Sequence, residues 1–392
     1  IIIAGDRSGV GKTTVTLALL AALRQRRQQV QSFKVGPDYI DPMFHTYITG
    51  RACRNLDPIL TSEDYVQQCF ARHSQNVSYA LIEGVMGLFD GALGTSDVGS
   101  TAHVARLLKI PVALVLNCSS ISRSIAAIVH GFCTFDPSVR VAGVILNQVG
   151  SDRHLKLLTQ ALEPLNLPIL GVLRRHDNIV IPDRHLGLVP TAELTQLNAI
   201  VERLAHLGKI CFDWSKLLPL LDCGKQAAEA EPEFPTAKIR LAIAQDEAFS
   251  FYYADNLTIL RQLGAELVPW SPLRDRTLPE GIQGLYFGGG FPEVFAATLA
   301  ENRSAQQSVK ASILAGIPTY AECGGLMYLC EKIIDFADQD YPMTGIVPTT
   351  AIMEKRLTLG YRQATALQNS PLVKKGDRFW GHEFHRSSLI HA

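Results

Sequence analysis

The sequence predicts an α/β protein made of two doubly wound domains in succession. Three observations carry that prediction. Short apolar segments rich in β-branched residues alternate with helical patterns through the first half of the chain. A polar, alanine-rich stretch broken by two prolines then interrupts the rhythm, and the same alternation restarts behind it. At 392 residues there is enough chain for two full cores.

In the first domain the expected strands are Ile1–Ala4, Gln31–Val35, Ala80–Glu83, Val112–Leu116 and Val141–Leu146, with Leu167–Val172 as a further one. Helical periodicity marks Thr14–Arg24, Ser122–Phe132 and Ala192–Leu207. The domain is placed at 1–223, the linker at 224–237 and the second domain at 238–392. Behind the linker come strand Arg240–Ala244, helix Tyr253–Leu263 and strands Glu266–Pro269 and Gly284–Phe287. Helices Pro292–Glu301 and Ala305–Ala315 and strand Ile317–Ala321 complete the pattern, and the chain then turns sharply at Cys323.

Thirty-seven basic residues balance thirty-seven acidic ones, so no net field draws nucleic acid or an anionic membrane, and neither is expected as a partner. No apolar run reaches the ~18 residues a membrane helix needs. The eight cysteines are scattered without a CxxC pair, which argues against a structural zinc site or a disulfide framework. A reducing cytoplasm is the expected compartment. Ile1 already lies inside an apolar strand pattern, which reads as a processed or excerpted chain rather than a signal peptide.

The first strand runs into Gly5-Asp6-Arg7-Ser8-Gly9-Val10-Gly11-Lys12-Thr13-Thr14 and then a helix. Glycines such as Gly9 and Gly11 let backbone N–H groups curl around phosphates, and the helix start adds partial positive charge. Lys12 would reach the β- and γ-phosphates of ATP, and the Thr13 hydroxyl, followed by Thr14, would ligate Mg²⁺. Five residues separate Gly5 from Gly11, so the strict GxxxxGK[ST] spacing is not met.

Lys34-Val-Gly-Pro-Asp38-Tyr-Ile-Asp41-Pro42 follows the second strand, and Glu83-Gly-Val-Met-Gly-Leu-Phe-Asp90-Gly91 follows the third. Both fall at carboxyl ends of parallel strands, where open α/β sheets bind ligands. Asp38 and Glu83 are hard oxygen ligands suited to Mg²⁺, and Lys34 can neutralise a phosphoryl group in transfer. Asp41 and Asp90 are substrate candidates. Each acid also has a plainer reading, as a turn residue beside Pro37, Pro42 or Gly91.

Cys323 lies in Tyr320-Ala-Glu-Cys323-Gly324-Gly325-Leu-Met, a strand-to-helix turn that exposes a nucleophile above a sheet. The following helix is expected to lower the thiol pKa. Gly324, with Gly289 and Gly290 of the Gly288-Gly-Gly-Phe-Pro-Glu293 run, would supply N–H donors to an oxyanion. The base is either His382 or His385 of Gly381-His-Glu-Phe-His385. Their offset of three puts them on opposite faces of one strand, and spacing does not rank them. His45 and His185, expected in loops, are substrate-contact candidates.

Taken together, the runs Ser8–Thr14, Lys34–Pro42, Glu83–Gly91, Gly187–Pro190, Gly288–Glu293, Tyr320–Leu329 and Gly381–His385 resemble the cobyrinate a,c-diamide synthase family, in its order and over essentially the whole chain. The resemblance implies a first domain like dethiobiotin synthetase, of P-loop NTPase type, and a second like class I glutamine amidotransferases. It implies ATP- and Mg²⁺-dependent amidation of the a and c carboxylates of cobyrinic acid, through an acyl phosphate, with L-glutamine as nitrogen donor. On the family pattern Cys323 is the nucleophile and His385 the base. Arg386 stands where the family has Tyr, and Ser387 where ordinary class I enzymes have an acid, so a Cys–His dyad is implied in place of a triad. The chain also stops seven residues after His385, where relatives continue. A homodimer is the assembly to look for. Within the class, the alternatives are a nickel-sirohydrochlorin a,c-diamide synthase and a cobyric acid synthase. The rival from another class is a nucleotide switch like the ParA/MinD partitioning ATPases, against which the thiol domain counts.

Overall fold

A computed structural model describes the chain except residues 93, 176–178, 180, 225–235, 237, 371 and 392. The expected linker, 224–237, falls almost wholly on these positions and so lies outside the described residues. The chain divides into two compact units. One comprises Ile1–Thr191, Thr195–Ala230 and Tyr361–Gly381, the other Ala192–Leu194, Glu231–Gly360 and His382–Ala392.

The first unit runs β1 (Ile2–Gly5), α1 (Lys12–Gln25), β2 (Val30–Val35), α2 (Ile40–Thr49), β3 (Arg54–Leu56), α3 (Glu63–Ser74), β4 (Tyr79–Glu83) and α4 (Thr101–Leu108). It continues with β5 (Val112–Asn117), α5 (Ile125–Thr134), β6 (Val141–Val149), α6 (Asp152–Leu162) and β7 (Ile169–Arg174). The two-residue strands β8 (Asp183–Arg184) and β9 (Gly187–Leu188) and helices α7 (Leu197–Ile210) and α8 (Trp214–Leu221) follow. Strands β1 to β7 form one sheet in the order β3-β2-β4-β1-β5-β6-β7, with every described pairing parallel. Ile2, Phe33, Val35, Ile82, Leu114 and Leu146 are buried in its core, as strands covered on both faces require.

That strand order positions the site. Strand β4 lies between β1 and β2, so the loops after all three meet at one end of the sheet. Helix α7 starts at Leu197 and not Ala192, because Thr191–Glu193, just after Pro190, forms a separate 3-10 turn.

The second unit has β10 (Ile239–Ala244), α9 (Ala254–Gln262), β11 (Ala265–Trp270), β12 (Gly284–Phe287), α10 (Ala296–Glu301), α11 (Arg303–Leu314), β13 (Thr319–Ala321) and α12 (Gly324–Leu329). Its parallel sheet has the order β11-β10-β12-β13. A further sheet, unforeseen in the sequence, joins β14 (Cys330–Ile334), β15 (Asp340–Pro342), β16 (Val347–Thr365) and β17 (Arg378–His391) in the order β15-β14-β16-β17. Trp270, Phe249, Phe287 and Tyr328 fill the core between elements of this unit.

Candidate functional site

Strand β1 ends at Gly5, and the next six residues curl back before α1 begins. Gly9 and Gly11 take positive φ, 75° and 99°. At Gly11 the demand is double, because an added Cβ would also lie 2.3 Å from Asn147 Nδ2. Asn147, at the end of β6, donates that amide to Val10 O at 2.8 Å and so clamps the loop. Lys12 begins α1 and folds its ammonium back onto Met86 O (2.5 Å) and Arg7 O (3.2 Å). Burial, then the nearby Lys34, pull its pKa down to about 8.

Register brings the next residues together. Lys34 and Glu83 are Cα partners across the parallel pair β2–β4. Lys34 Nζ donates to Asp41 Oδ2 at 2.6 Å and to Glu83 Oε1 at 2.9 Å, with Asp38 Oδ2 at 3.7 Å. Thr13 Oγ1 donates to Glu83 Oε1 at 2.6 Å and lies 3.3 Å from Asp41 Oδ2. Hence Thr13, Lys34, Asp38, Asp41 and Glu83 form one cluster at the start of α1. Burial opposes the charge on Lys34, but Asp41 and Glu83 override it and hold the ammonium well above its ordinary pKa. Burial and Asp38 push Asp41 up to about 8. For Glu83 burial again opposes ionisation, but Lys34, His45 and Thr13 hold the carboxyl far below the usual range.

His45 does not lie in a loop. It sits on α2, fully buried, four residues after Asp41. Its Nε2 is 2.8 Å from Glu83 Oε2 and its Nδ1 3.4 Å from Cys53 Sγ. Burial lowers the imidazole pKa, but Cys53 and Glu83 outweigh it and raise the pKa to about 10. The i, i+4 spacing from Asp41 was the available signal for this neighbour. Asn147 had none, because only the folded sheet brings β6 to the loop. His185 falls in the tight turn between β8 and β9.

Two acids have structural tasks here. Asp38 Oδ1 accepts the N–H groups of Ile40 (2.8 Å) and Asp41 (3.1 Å), capping α2. Asp90 is exposed and its Oδ2 accepts Gly87 N–H at 2.8 Å, closing the turn that holds Met86 at positive φ.

In the second unit Cys323 has φ 48° and ψ −117°, a backbone state costing ~1–3 kcal/mol for a residue with a side chain. The backbone N–H groups of Gly324 and Gly290 act on the thiol in the direction that favours its thiolate. Gly289 approaches so closely that a Cβ there would lie 3.2 Å from Cys323 Cβ, and one on Gly290 would lie 2.0 Å from Ala248 O. Although the residue is exposed at its surface, crowding by protein atoms pushes the thiol up to about 11 despite those two N–H groups. The expected lowering by the helix is therefore reversed: α12 has six residues, too few for its dipole to overcome desolvation.

His382 and His385 both lie on β17. No hydrogen bond joins Cys323 to His385 among the described residues. His385 Nδ1 lies 2.9 Å from Ser387 O, and its Nε2 lies 4.0 Å from Glu383 Oε1. The structure thus gathers Cys323 with Gly289, Gly290 and Gly324.

Comparison with known proteins finds two domain families in the chain. Residues 1–189 match the CobQ/CobB/MinD/ParA nucleotide-binding domain, and residues 240–392 the CobB/CobQ-like glutamine amidotransferase domain. The chain is a nucleotide-binding ligase that carries its own glutamine amidotransferase domain. It is 63% identical to the cobyrinate a,c-diamide synthase of a Synechococcus species, over 99% of this chain and 86% of that one. Identity is 54% to the synthase of the same name from a Synechocystis species, over 99% of this chain and 82% of that one. It is 43% to the hydrogenobyrinate a,c-diamide synthase of Streptomyces coelicolor, over 99% and 86%. The chain belongs to the cobyrinate a,c-diamide synthase family, whose amidations serve cobalamin biosynthesis. Among the described residues no helix is long and apolar enough to cross a membrane.

Proposed function

We propose that this enzyme amidates the a and c side-chain carboxylates of cobyrinic acid, using ATP to activate each acid and glutamine to supply nitrogen. The observation that supports it most is the convergence of Thr13, Lys34, Asp41 and Glu83 at the phosphate loop of a chain that also carries the strained Cys323 turn. A carboxylate is a poor electrophile, so ammonia alone does not convert it at neutral pH. Phosphorylation supplies the leaving group.

The N–H groups of Gly9–Thr14 and the Lys12 ammonium hold the phosphates of ATP. A corrinoid carboxylate oxygen attacks the γ-phosphorus, ADP leaves, and an acyl phosphate forms. Lys34 disperses charge on the phosphoryl group in transfer. The Thr13 hydroxyl and the Asp38 and Glu83 carboxylates gather around Lys34, a set of hard oxygen donors that suits a divalent cation. Thr13, Asp38 and Glu83 would hold Mg²⁺, which when bound neutralises the phosphate oxygens. Ammonia then attacks the acyl carbon, phosphate departs, and the nitrogen loses a proton to give the amide. Asp41 and Asp90 are candidates for contacts to the macrocycle.

In the amidotransferase domain the Cys323 sulfur attacks the glutamine side-chain amide carbon. His385 takes the thiol proton and passes it to the leaving nitrogen, releasing ammonia and leaving a glutamyl thioester that water hydrolyses. N–H groups of Gly289, Gly290 and Gly324 serve the oxyanion. A thiol held near pKa 11 needs such a base.

Mass spectrometry of products tests the proposal. Cobyrinic acid with ATP, Mg²⁺ and glutamine should give two successive carboxylate-to-carboxamide conversions. Faster turnover of cobalt-free hydrogenobyrinic acid would shift the substrate to that macrocycle, and no conversion of either would end the reading. A homodimer and a cytoplasmic setting belong to the same reading, and light scattering that finds monomer alone would remove the dimer.

A further inference from the structure

The residue before Cys323 is tied down from three elements. Glu322 accepts Tyr286 O–H on Oε1 at 3.1 Å and Tyr320 O–H on Oε2 at 3.0 Å. Its N–H donates to Phe287 O at 3.0 Å, and its carbonyl accepts Gly325 N–H at 2.8 Å. Tyr286 and Phe287 belong to β12, Tyr320 to β13 and Gly325 to α12. The rings reinforce one another: Tyr286 meets Tyr320 edge-on at 5.4 Å and Tyr252 at 5.1 Å. Tyr252 O–H in turn accepts Gly288 N–H at 2.9 Å and donates to Ala244 O. A continuous network therefore joins the glycine run beside the thiol to the thiol's own neighbour in the chain.

We propose that Glu322 is a positioning residue for the nucleophile: by accepting from Tyr286 and Tyr320 it locks the end of β13, so that Cys323 keeps its positive φ and its place against Gly289. This rests on Cys323 being the glutamine-attacking thiol. A strained backbone persists only where its surroundings over-determine it. The two carboxylate oxygens are matched to two hydroxyl donors, and the backbone bonds to Phe287 and Gly325 fix the peptide on either side. Replacement by Gln keeps one side-chain acceptor, and replacement by Ala keeps none.

The test is steady-state glutamine hydrolysis by the full chain, with amidation driven by ammonium salts measured beside it. Glu322→Ala should lower kcat for glutamine about 10²-fold, the scale of a ~1 Å misplacement of reacting groups, with KM nearly unchanged. Glu322→Gln should recover about tenfold of that loss. Tyr320→Phe removes one donor at an exposed ring, so it keeps the test alive if the alanine variant does not fold; it should lower kcat about tenfold. Ammonium-driven amidation should stay at the wild-type rate in all three.

A raised KM with kcat held would make Glu322 a substrate-binding group and overturn the proposal. So would unchanged glutamine hydrolysis in Glu322→Ala and Tyr320→Phe, or an equal loss with ammonium salts. Cys323→Ser assayed in parallel separates the two layers. If it still hydrolyses glutamine, the identity of the nucleophile fails and the positioning role falls with it; if it does not, while Glu322→Ala and Tyr320→Phe hydrolyse glutamine at the wild-type rate, the positioning role alone fails.

Discussion

Lys34→Met is the perturbation with the most to say about the phosphate side. The side chain is 4% exposed, and its ammonium lies 2.6 Å from Asp41 and 2.9 Å from Glu83, which are 13% and 0% exposed. Removing one partner of a buried pair leaves the other charges uncompensated and costs ~3–5 kcal/mol. For a cooperative unit of ~150–250 residues each kcal/mol lowers the melting temperature by ~2–4 °C, so the fall should be ~6–20 °C. The sign with pH follows from Glu83. Its folded pKa is depressed, so its stabilisation is present above the ordinary carboxylate range and is lost as pH falls through the folded value. Without Lys34 the largest contribution to that depression is gone, leaving His45 and Thr13, and the deficit should be largest at neutral pH and shrink in acid. Scanning calorimetry at neutral pH and in mild acid reads both quantities, and added Mg²⁺ should recover more stability in the variant than in the wild type. An unchanged melting temperature, or a deficit that grows in acid, would refute the charge balance drawn here.

Three further outcomes follow from the geometry. Gly290→Ala puts a Cβ 2.0 Å from Ala248 O, where backbone cannot yield cheaply, so it should cost ~1–3 kcal/mol and abolish glutamine hydrolysis while sparing ammonium-driven amidation. Iodoacetamide labelling of Cys323 without glutamine should rise with pH towards a midpoint near 11, and a midpoint in the neutral range would contradict the dominance of desolvation. Because Lys12 is drawn down to about 8, ATP binding should take up a proton as pH rises through that value and should weaken above it. Calorimetric titration in buffers of different ionisation enthalpy would detect the uptake, and a pH-independent affinity would count against it.

The loops that carry the site were legible because each is a local pattern: strand, then Gly, Pro or acid, then helix. Their convergence was not. That Lys34 stands opposite Glu83 depends on β4 inserting between β1 and β2, which no local signal reveals. Helix α2 was read as turns because Asp41-Pro42 looks like a loop. Pro42 in fact occupies the first turn, where a missing N–H costs nothing, and Asp38 takes up the N–H groups of Ile40 and Asp41. His45 was placed in a loop for the same reason. Of the sheet from β14 to β17 only a strand at Gly381–His385 was expected, because Glu354, Lys355 and Arg356 interrupt any alternation along β16. At the thiol, the turn, the glycines and both histidines were visible, whereas the balance between burial and helix dipole needed coordinates.

The most direct measurement of the central claim is nitrogen-source dependence in two variants. Cys323→Ser should lose glutamine-driven amidation of cobyrinic acid and keep amidation from ammonium salts, whereas Lys12→Ala should lose both. If Cys323→Ser loses both, or Lys12→Ala keeps either, the division of labour between a nitrogen-releasing domain and an acid-activating domain is contradicted.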